Sequence, residues 1–277
     1  METGTASRPL PFTAVDSSVP PPPKVGLGTI LLRLGFGIVS ALILAWAWQG
    51  AEIKVDELVS GAGNMSQYAT AFLKPDFLDW RLFMQETVVT IQIAIWGTLL
   101  ALIGGIPCGL LMSSNISPRW IRVPLRRLMD TCRSVNEIVY AMLFITAVGL
   151  GPFAGVLALF IHNLGVIAKL FSEAVEAIEP GPIEGIRATG AHSLAEVVYG
   201  VIPQVIPLWL STALYRFESN VRSAAVVGVV GAGGVGMLLW DAIRSFDYSR
   251  TSAILLIIIV VVMGLDMISG RIRKSFI

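Results

Sequence analysis

Residues 87–112 read TVVTIQIAIWGTLLALIGGIPCGLLM. No charged side chain interrupts this stretch, and it exceeds the roughly 20 mostly apolar residues that a helix needs to cross a bilayer. Its Gly104, Gly105, Pro107 and Gly109 are small or helix-bending residues suited to close packing against other helices in lipid. Outward from it, residues 29–50, 137–152, 153–172, 203–219 and 251–270 repeat the pattern, predicting an all-α integral membrane protein of about six spans. The composition agrees. Hydrophobic residues make up 55% of the 277 and charged residues 14%, against about 45–50% and 25% in soluble domains, and the mean hydropathy is +0.74. A water-soluble globule is excluded. A net charge of +1 offers no basic face for nucleic acid.

Residues 224–240 form a seventh apolar run, but Gly228, Gly231, Gly233, Gly234 and Gly236 each disfavour a continuous lipid-facing helix by about 1 kcal/mol relative to Ala. The run is read as a re-entrant or broken segment buried in protein. Charge position supports that choice. With six spans and an inside N-terminus, the inside segments hold Arg8, Lys24, Arg33, Arg119, Arg122, Arg126, Arg127, Arg133, Lys169, Arg187, Arg271, Arg273 and Lys274. The outside segments hold Lys54, Lys74, Arg81, Arg216, Arg222, Arg244 and Arg250. This is the asymmetry expected of inside loops, and it puts both termini inside. Residues 1–25, with Pro9, Pro11 and Pro20 to Pro23, are expected to be a disordered cytoplasmic tail, leaving 26–277 as the membrane domain. The tail lacks the signal-peptide pattern, so the first apolar segment is expected to stay as an uncleaved anchor.

Residues 180–203 are too patterned for a plain connection. Pro182 suits the first turn of a helix, Glu184 sits near its positive end, and Gly190 can stop it. Ser193 and Glu196 have capping-box spacing ahead of Val197, and the second helix meets Pro203. A helix, a glycine turn and a second helix therefore form a hairpin on the inside face, readable also as an amphipathic interfacial hairpin.

Glu184-Gly185-Ile186, Gly190 and Ile202-Pro203 fall at the spacings of the cytoplasmic motif of ABC importer permeases. In that motif Glu-Ala-Ala, three residues, Gly and nine residues precede Ile-x-Leu-Pro. Here Gly185 and Ile186 replace the alanines, Gly200 the isoleucine and Ile202 the leucine. Residues 173–236 resemble more closely the phosphonate permease (PhnE-type) branch, through Glu173 to Ile178, Glu184 to Ala191, Tyr215 to Glu218, Asn220 to Arg222 and Val230 to Gly236. The resemblance implies a type I importer permease in the bacterial inner membrane, a homodimeric pathway for phosphonate, phosphite or phosphate, and no catalysis in this chain. It also implies a cytoplasmic ABC ATPase dimer seated on Glu184, Gly185, Arg187, Gly190 and Ala191, and a periplasmic or lipid-anchored binding protein that delivers the anion. The chain has no G-x-x-x-x-G-K-[ST] phosphate loop, so ATP and Mg are expected on the partner ATPase and no cofactor here. An ion-coupled secondary transporter is the rival reading; it would need inverted repeats and midplane charges, and the sequence shows no convincing repeat and few such charges.

Arg216, Glu218 and Arg222 are read at the outer mouth of span five, where guanidinium groups match oxyanions by bidentate hydrogen bonds. Alternatively Glu218 and Arg222 neutralise each other as an i,i+4 pair while Arg216 anchors at the interface. Gly231, Gly233 and Gly236 match G-x-G-x-x-G but lack the strand-and-helix context of a nucleotide site. Gly231, Gly233 and Gly234 are read as a flexible gate or close packing. Glu137, Lys169 and Asp266 are placed near inner span ends; His162 and Asn163 lie deeper, lining a pore or bonding between helices. With Cys108 and Cys132 as the only cysteines and two histidines, no metal or nucleophilic site is expected.

Overall fold

A computed structural model of the protein describes residues 27–274, so the proposed tail at 1–25 lies outside the described residues. Two units divide the chain, Met1–Ala62 and Gly63–Ile277. The first contains α1 (Leu27–Gly50) and α2 (Val55–Ser60). Apolar residues occupy the whole circumference of α1, and its described side chains are nearly all exposed, as a helix meant for lipid should be.

The second unit runs through α3 (Ala62–Phe72), α4 (Trp80–Met112), α5 (Arg119–Ser134), α6 (Glu137–Val148), α7 (Pro152–Glu176), α8 (Pro180–Ala188) and the single turn α9 (Ser193–Ala195). It continues with α10 (Ile202–Val227), α11 (Val235–Arg244) and α12 (Tyr248–Lys274). Wider π turns at Glu196–Val201 and Gly228–Ala232 bracket α10. Among the described residues five helices are long and apolar enough to cross a membrane, while α6 is a shorter apolar helix.

The core is a parallel pair, α4 and α7. A Cβ added at Gly97, Gly104, Gly105 or Gly109 would sit 2.7–2.8 Å from Leu159, Leu164, Ile167 or Phe171 respectively, so both chains advance together and their backbones nearly touch. Small residues in α4 thus do what residues 87–112 imply: they let packing attraction join helices where lipid supplies no hydrophobic drive. The indole of Trp209 stacks on Phe171 at 4.6 Å, which sets α10 antiparallel to α7.

Two expectations are corrected here. The third crossing is not residues 137–152 alone, because at about 1.5 Å per residue α6 is too short. The second half of α5 climbs α7 first: Arg126 bonds Glu176, Met129 packs with Ala168, and Arg133 reaches Gly165. The chain breaks at residues 135–136, where the Asn136 side chain caps α6 by accepting from Ile138 N at 2.9 Å. Helix α6 then continues along α7, with Ala141 beside Ala158. Arg133 is thereby lifted out of the loop, and Glu137 lies at the level of His162 in mid-α7 rather than near a span end.

The run 224–240 is broken, as expected, but it does not turn back. After α10 the backbone steps sideways through Gly231 (φ 103°), Gly233 (φ 76°) and Gly234 (φ 73°), with Gly151 N donating to Gly231 O at 3.1 Å. It returns where Val235 N donates to Thr90 Oγ1 at 2.9 Å. Helix α11 then carries on toward the start of α12, with Ala242 beside Arg250.

Candidate functional site

Residues 180–203 fold as α8, a glycine turn, and a short arm of one α turn and one π turn that runs into α10, with capping partners other than those expected. Proline at the N1 position opens α8, and Gly190 adopts φ 76° just after it, its N–H donating to Arg187 O at 3.0 Å. Ser193 and Glu196 do not form the expected capping box. His192 caps instead, its Nδ1 accepting from Leu194 N at 3.3 Å. The Glu196 carboxylate takes both ends of the Arg187 fork, Nε to Oε1 at 3.1 Å and Nη2 to Oε2 at 2.8 Å. That bidentate pair ties the two arms and raises the Arg187 pKa further above its usual value, through the hydrogen bond and then the charge.

The departures from the importer motif explain one another. A Cβ at Gly200 would lie 3.2–3.3 Å from Ile183 and Ile186, so a large residue on α8 meets the missing side chain on the following π turn. Glu184, Gly185, Arg187 and Gly190 are exposed on the outer surface of the hairpin, while Ala191 is half-buried. Exchanging the charges, Arg187→Glu with Glu196→Arg, should restore part of the protease resistance of residues 180–203 that either single change loses; no recovery would detach this pair from the hairpin's shape.

At the same end a polar lattice that sequence spacing gave no sign of locks α4, α5 and α7. Arg126 donates to Glu176 Oε1 at 2.6 Å, to Met112 O at 3.2 Å and to Ser172 Oγ at 3.4 Å. Glu176 also accepts from Ser114 N at 2.7 Å, and Asn115 Nδ2 donates to Val175 O at 2.7 Å. The helix ends α4 and α7 thereby satisfy orphan carbonyls that would otherwise cost free energy.

The three charged candidates on α10 do not share one mouth. Arg216 lies mid-helix and donates from Nε (3.1 Å) and Nη2 to the buried Asn163 Oδ1, with Glu137 nearby held by Ser223 Oγ at 2.7 Å. Glu218 is buried and pairs with Arg273 Nη2 at 2.7 Å, not with Arg222. Arg222 pairs with Asp266 across α12 at 3.3 Å. His162 on α7 bonds the break between α5 and α6, its Nδ1 donating to Val135 O at 2.9 Å. Gly231, Gly233 and Gly234 sit at the sideways step, packed against Leu150, Pro152 and Thr90.

Residues 105–276 match the family described as "Binding-protein-dependent transport system inner membrane component". The chain is 34% identical over 240 residues to the phosphite transport system permease protein PtxC of Stutzerimonas stutzeri, covering 86% of this chain and 87% of that protein. It is 66% identical over 121 residues to PhnE2, a cryptic phosphonate transport system permease protein of Escherichia coli (strain K12), covering 44% of this chain and 99% of that one. Among solved structures, a chain of the inward-facing MetNI methionine ABC transporter superposes with a TM-score of 0.65 at 20% identity, over 73% of this chain and 99% of that chain. The chain belongs to the inner membrane components of binding-protein-dependent transport systems. It is a multi-pass, non-catalytic permease subunit of an ABC importer of the PhnE type, built on the type I importer fold.

Proposed function

We propose that two copies of this chain enclose a translocation pathway for a tetrahedral phosphorus oxyanion: a phosphonate, phosphite or phosphate. Relatives matching most of the chain or a long part of it are named for phosphite and phosphonate, and that observation carries the reading. The hairpin faces the cytoplasm and seats an ABC ATPase dimer, which binds ATP and Mg; a periplasmic or lipid-anchored binding protein delivers the anion to the opposite side.

The geometry supplies a route for the work. A push on α8 reaches α10 through the π turn at Glu196–Val201, which runs straight into α10 and is held to α8 by the Arg187–Glu196 pair and by Gly200 against Ile183 and Ile186. It reaches α7 through the Trp209–Phe171 stack, while Gln204 ties α10 to the start of α8, accepting from Glu179 N at 3.2 Å, and donates to Gly200 O at 2.6 Å. The π turns at both ends of α10 are the places where a helix changes direction most readily. Alternating access is thus a swing of α10 against the rigid α4–α7 pair.

Two measurements test this. Reporter fusions after Ile277 and within residues 55–75 should report opposite sides of the membrane, with Ile277 cytoplasmic; the same side for both sinks the topology. Liposomes holding the complex with its ATPase and binding protein should take up methylphosphonate, phosphite or inorganic phosphate with ATP and no ion gradient. Uptake that needs a proton or sodium gradient instead would return the chain to the ion-coupled rival.

A further inference from the structure

Helix α10 is packed on three sides. Trp209, Arg216 and Asn220 face α7 and α4, Ser223 reaches Glu137 on α6, and Glu218 reaches α12. Beyond its first turns, where Pro203, Ile206 and Pro207 are also exposed, what remains uncovered is a narrow stripe in which Leu208 (55% exposed), Tyr215 (54%) and Val226 (50%) stand two and then three turns apart along one face. Thr212, Ser219 and Arg222 fill the same stripe between them. Its middle is polar. The uncovered face of α12 is apolar around the half-exposed Asp266, with Ile259, Val260, Met263 and Met267, as lipid demands. A stripe of hydroxyls with an arginine in a membrane-crossing helix is costly against hydrocarbon and calls for water or protein.

The three arginines differ in what they have left to offer. Arg216 gives Nε and Nη2 to Asn163, and Arg273 gives Nη2 to Glu218. Arg222, its side chain 47% exposed, is engaged by Asp266 through Nη1 alone, at long distances of 3.3 and 3.4 Å. The Nε and Nη2 edge of its guanidinium, the edge that accepts two oxygens in parallel, makes no hydrogen bond among the described residues. We infer that this stripe of α10 lines the water-filled pathway, and that Arg222 is the oxyanion's transient contact in it, with Asp266 as the competing acceptor that lets the anion go. The inference rests on the oxyanion reading above and resolves which of Arg216, Glu218 and Arg222 meets the cargo. A paired arginine suits a conduit, in which binding must stay weak enough to release.

Two arms test it in the full complex, reconstituted with its ATPase and binding protein. In a background where Cys108 and Cys132 are Ser and uptake persists, cysteines at Tyr215, Ser219 and Val226 should react with a charged methanethiosulfonate. A cysteine at Val260, on the apolar face of α12, should not. A silent stripe, or equal labelling of Val260→Cys, overturns the pathway assignment. In the second arm, Arg222→Gln should cut phosphite uptake about tenfold or more while ATPase stimulation by the binding protein persists. Asp266→Asn should lower the half-saturating phosphite concentration and slow turnover. The double variant should behave like Arg222→Gln; full recovery would make the pair a structural strut and overturn the anion contact. If phosphite, methylphosphonate and phosphate are all refused while a different cargo passes and the stripe still labels, the substrate reading falls and the lining assignment stands.

Discussion

Valine at Gly190 should leave the protein in the membrane and reduce ATP-driven uptake to near background, with loss of the copurifying ATPase subunit. Gly190 sits at φ 76°, in the left-handed region that a β-branched residue strongly resists. A Cβ there meets nothing within 4 Å, so the protein itself has room for the side chain. The harm comes from the backbone, which must leave φ 76° and swing α8 away from the π turn, and from the added bulk on the surface proposed to seat the ATPase. Asparagine, which tolerates this region, is the control and should retain most of the activity. Equal uptake by the Val and Asn variants would show that the turn's conformation does not matter for coupling.

Valine at Gly236 should act on stability instead. A Cβ at this position would collide with the carbonyl of Ala225 and come within 3.0 Å of the Gly228 backbone. The obstacle is backbone on both sides, so no side chain can rotate away, and the junction of α10 with α11 must open. Overpacking of this kind costs about 1–3 kcal/mol or more, and the step also holds the Val235 bond to Thr90. The purified variant should melt several degrees lower in detergent and accumulate poorly in membranes. Gly264→Ala on α12, where an added Cβ meets nothing within 4 Å, should change neither. A Gly236→Val protein as stable as the parent would mean that the glycine step is loosely packed.

Much of the architecture was legible before any coordinates. Residues 87–112 announce α4 because lipid cannot satisfy a charged side chain or an open backbone, so an uncharged apolar run has one available structure. The hairpin was legible because its signals are local: a proline start, a glycine stop and a fixed spacing between them. Its details were less so, since Ser193 and His192 compete for the same cap and Glu196 has two possible partners within reach. The split third crossing was missed because Arg126, Arg127, Asp130 and Arg133 make α5 read as a loop. Only its packing on α7, with Arg126 spent on Glu176, shows that it climbs.

The sequence by itself determined the class of protein, the number of long spans to within one, the hairpin, and the break in residues 224–240, because each depends on the solvent around a segment or on neighbours a few residues away. The tertiary structure decided the partners of the charges. Glu218 lies four residues from Arg222 yet bonds Arg273, and Arg222 bonds Asp266. Helical spacing makes an i,i+4 pair possible but worth only about 0.2–0.5 kcal/mol, whereas buried or membrane-facing charges are held where neighbouring helices shield them from lipid. Which helix stands beside which is set by the glycine contacts of α4 on α7 and by the stacking of Trp209 on Phe171. Those contacts join residues far apart in the chain, and no local spacing encodes them.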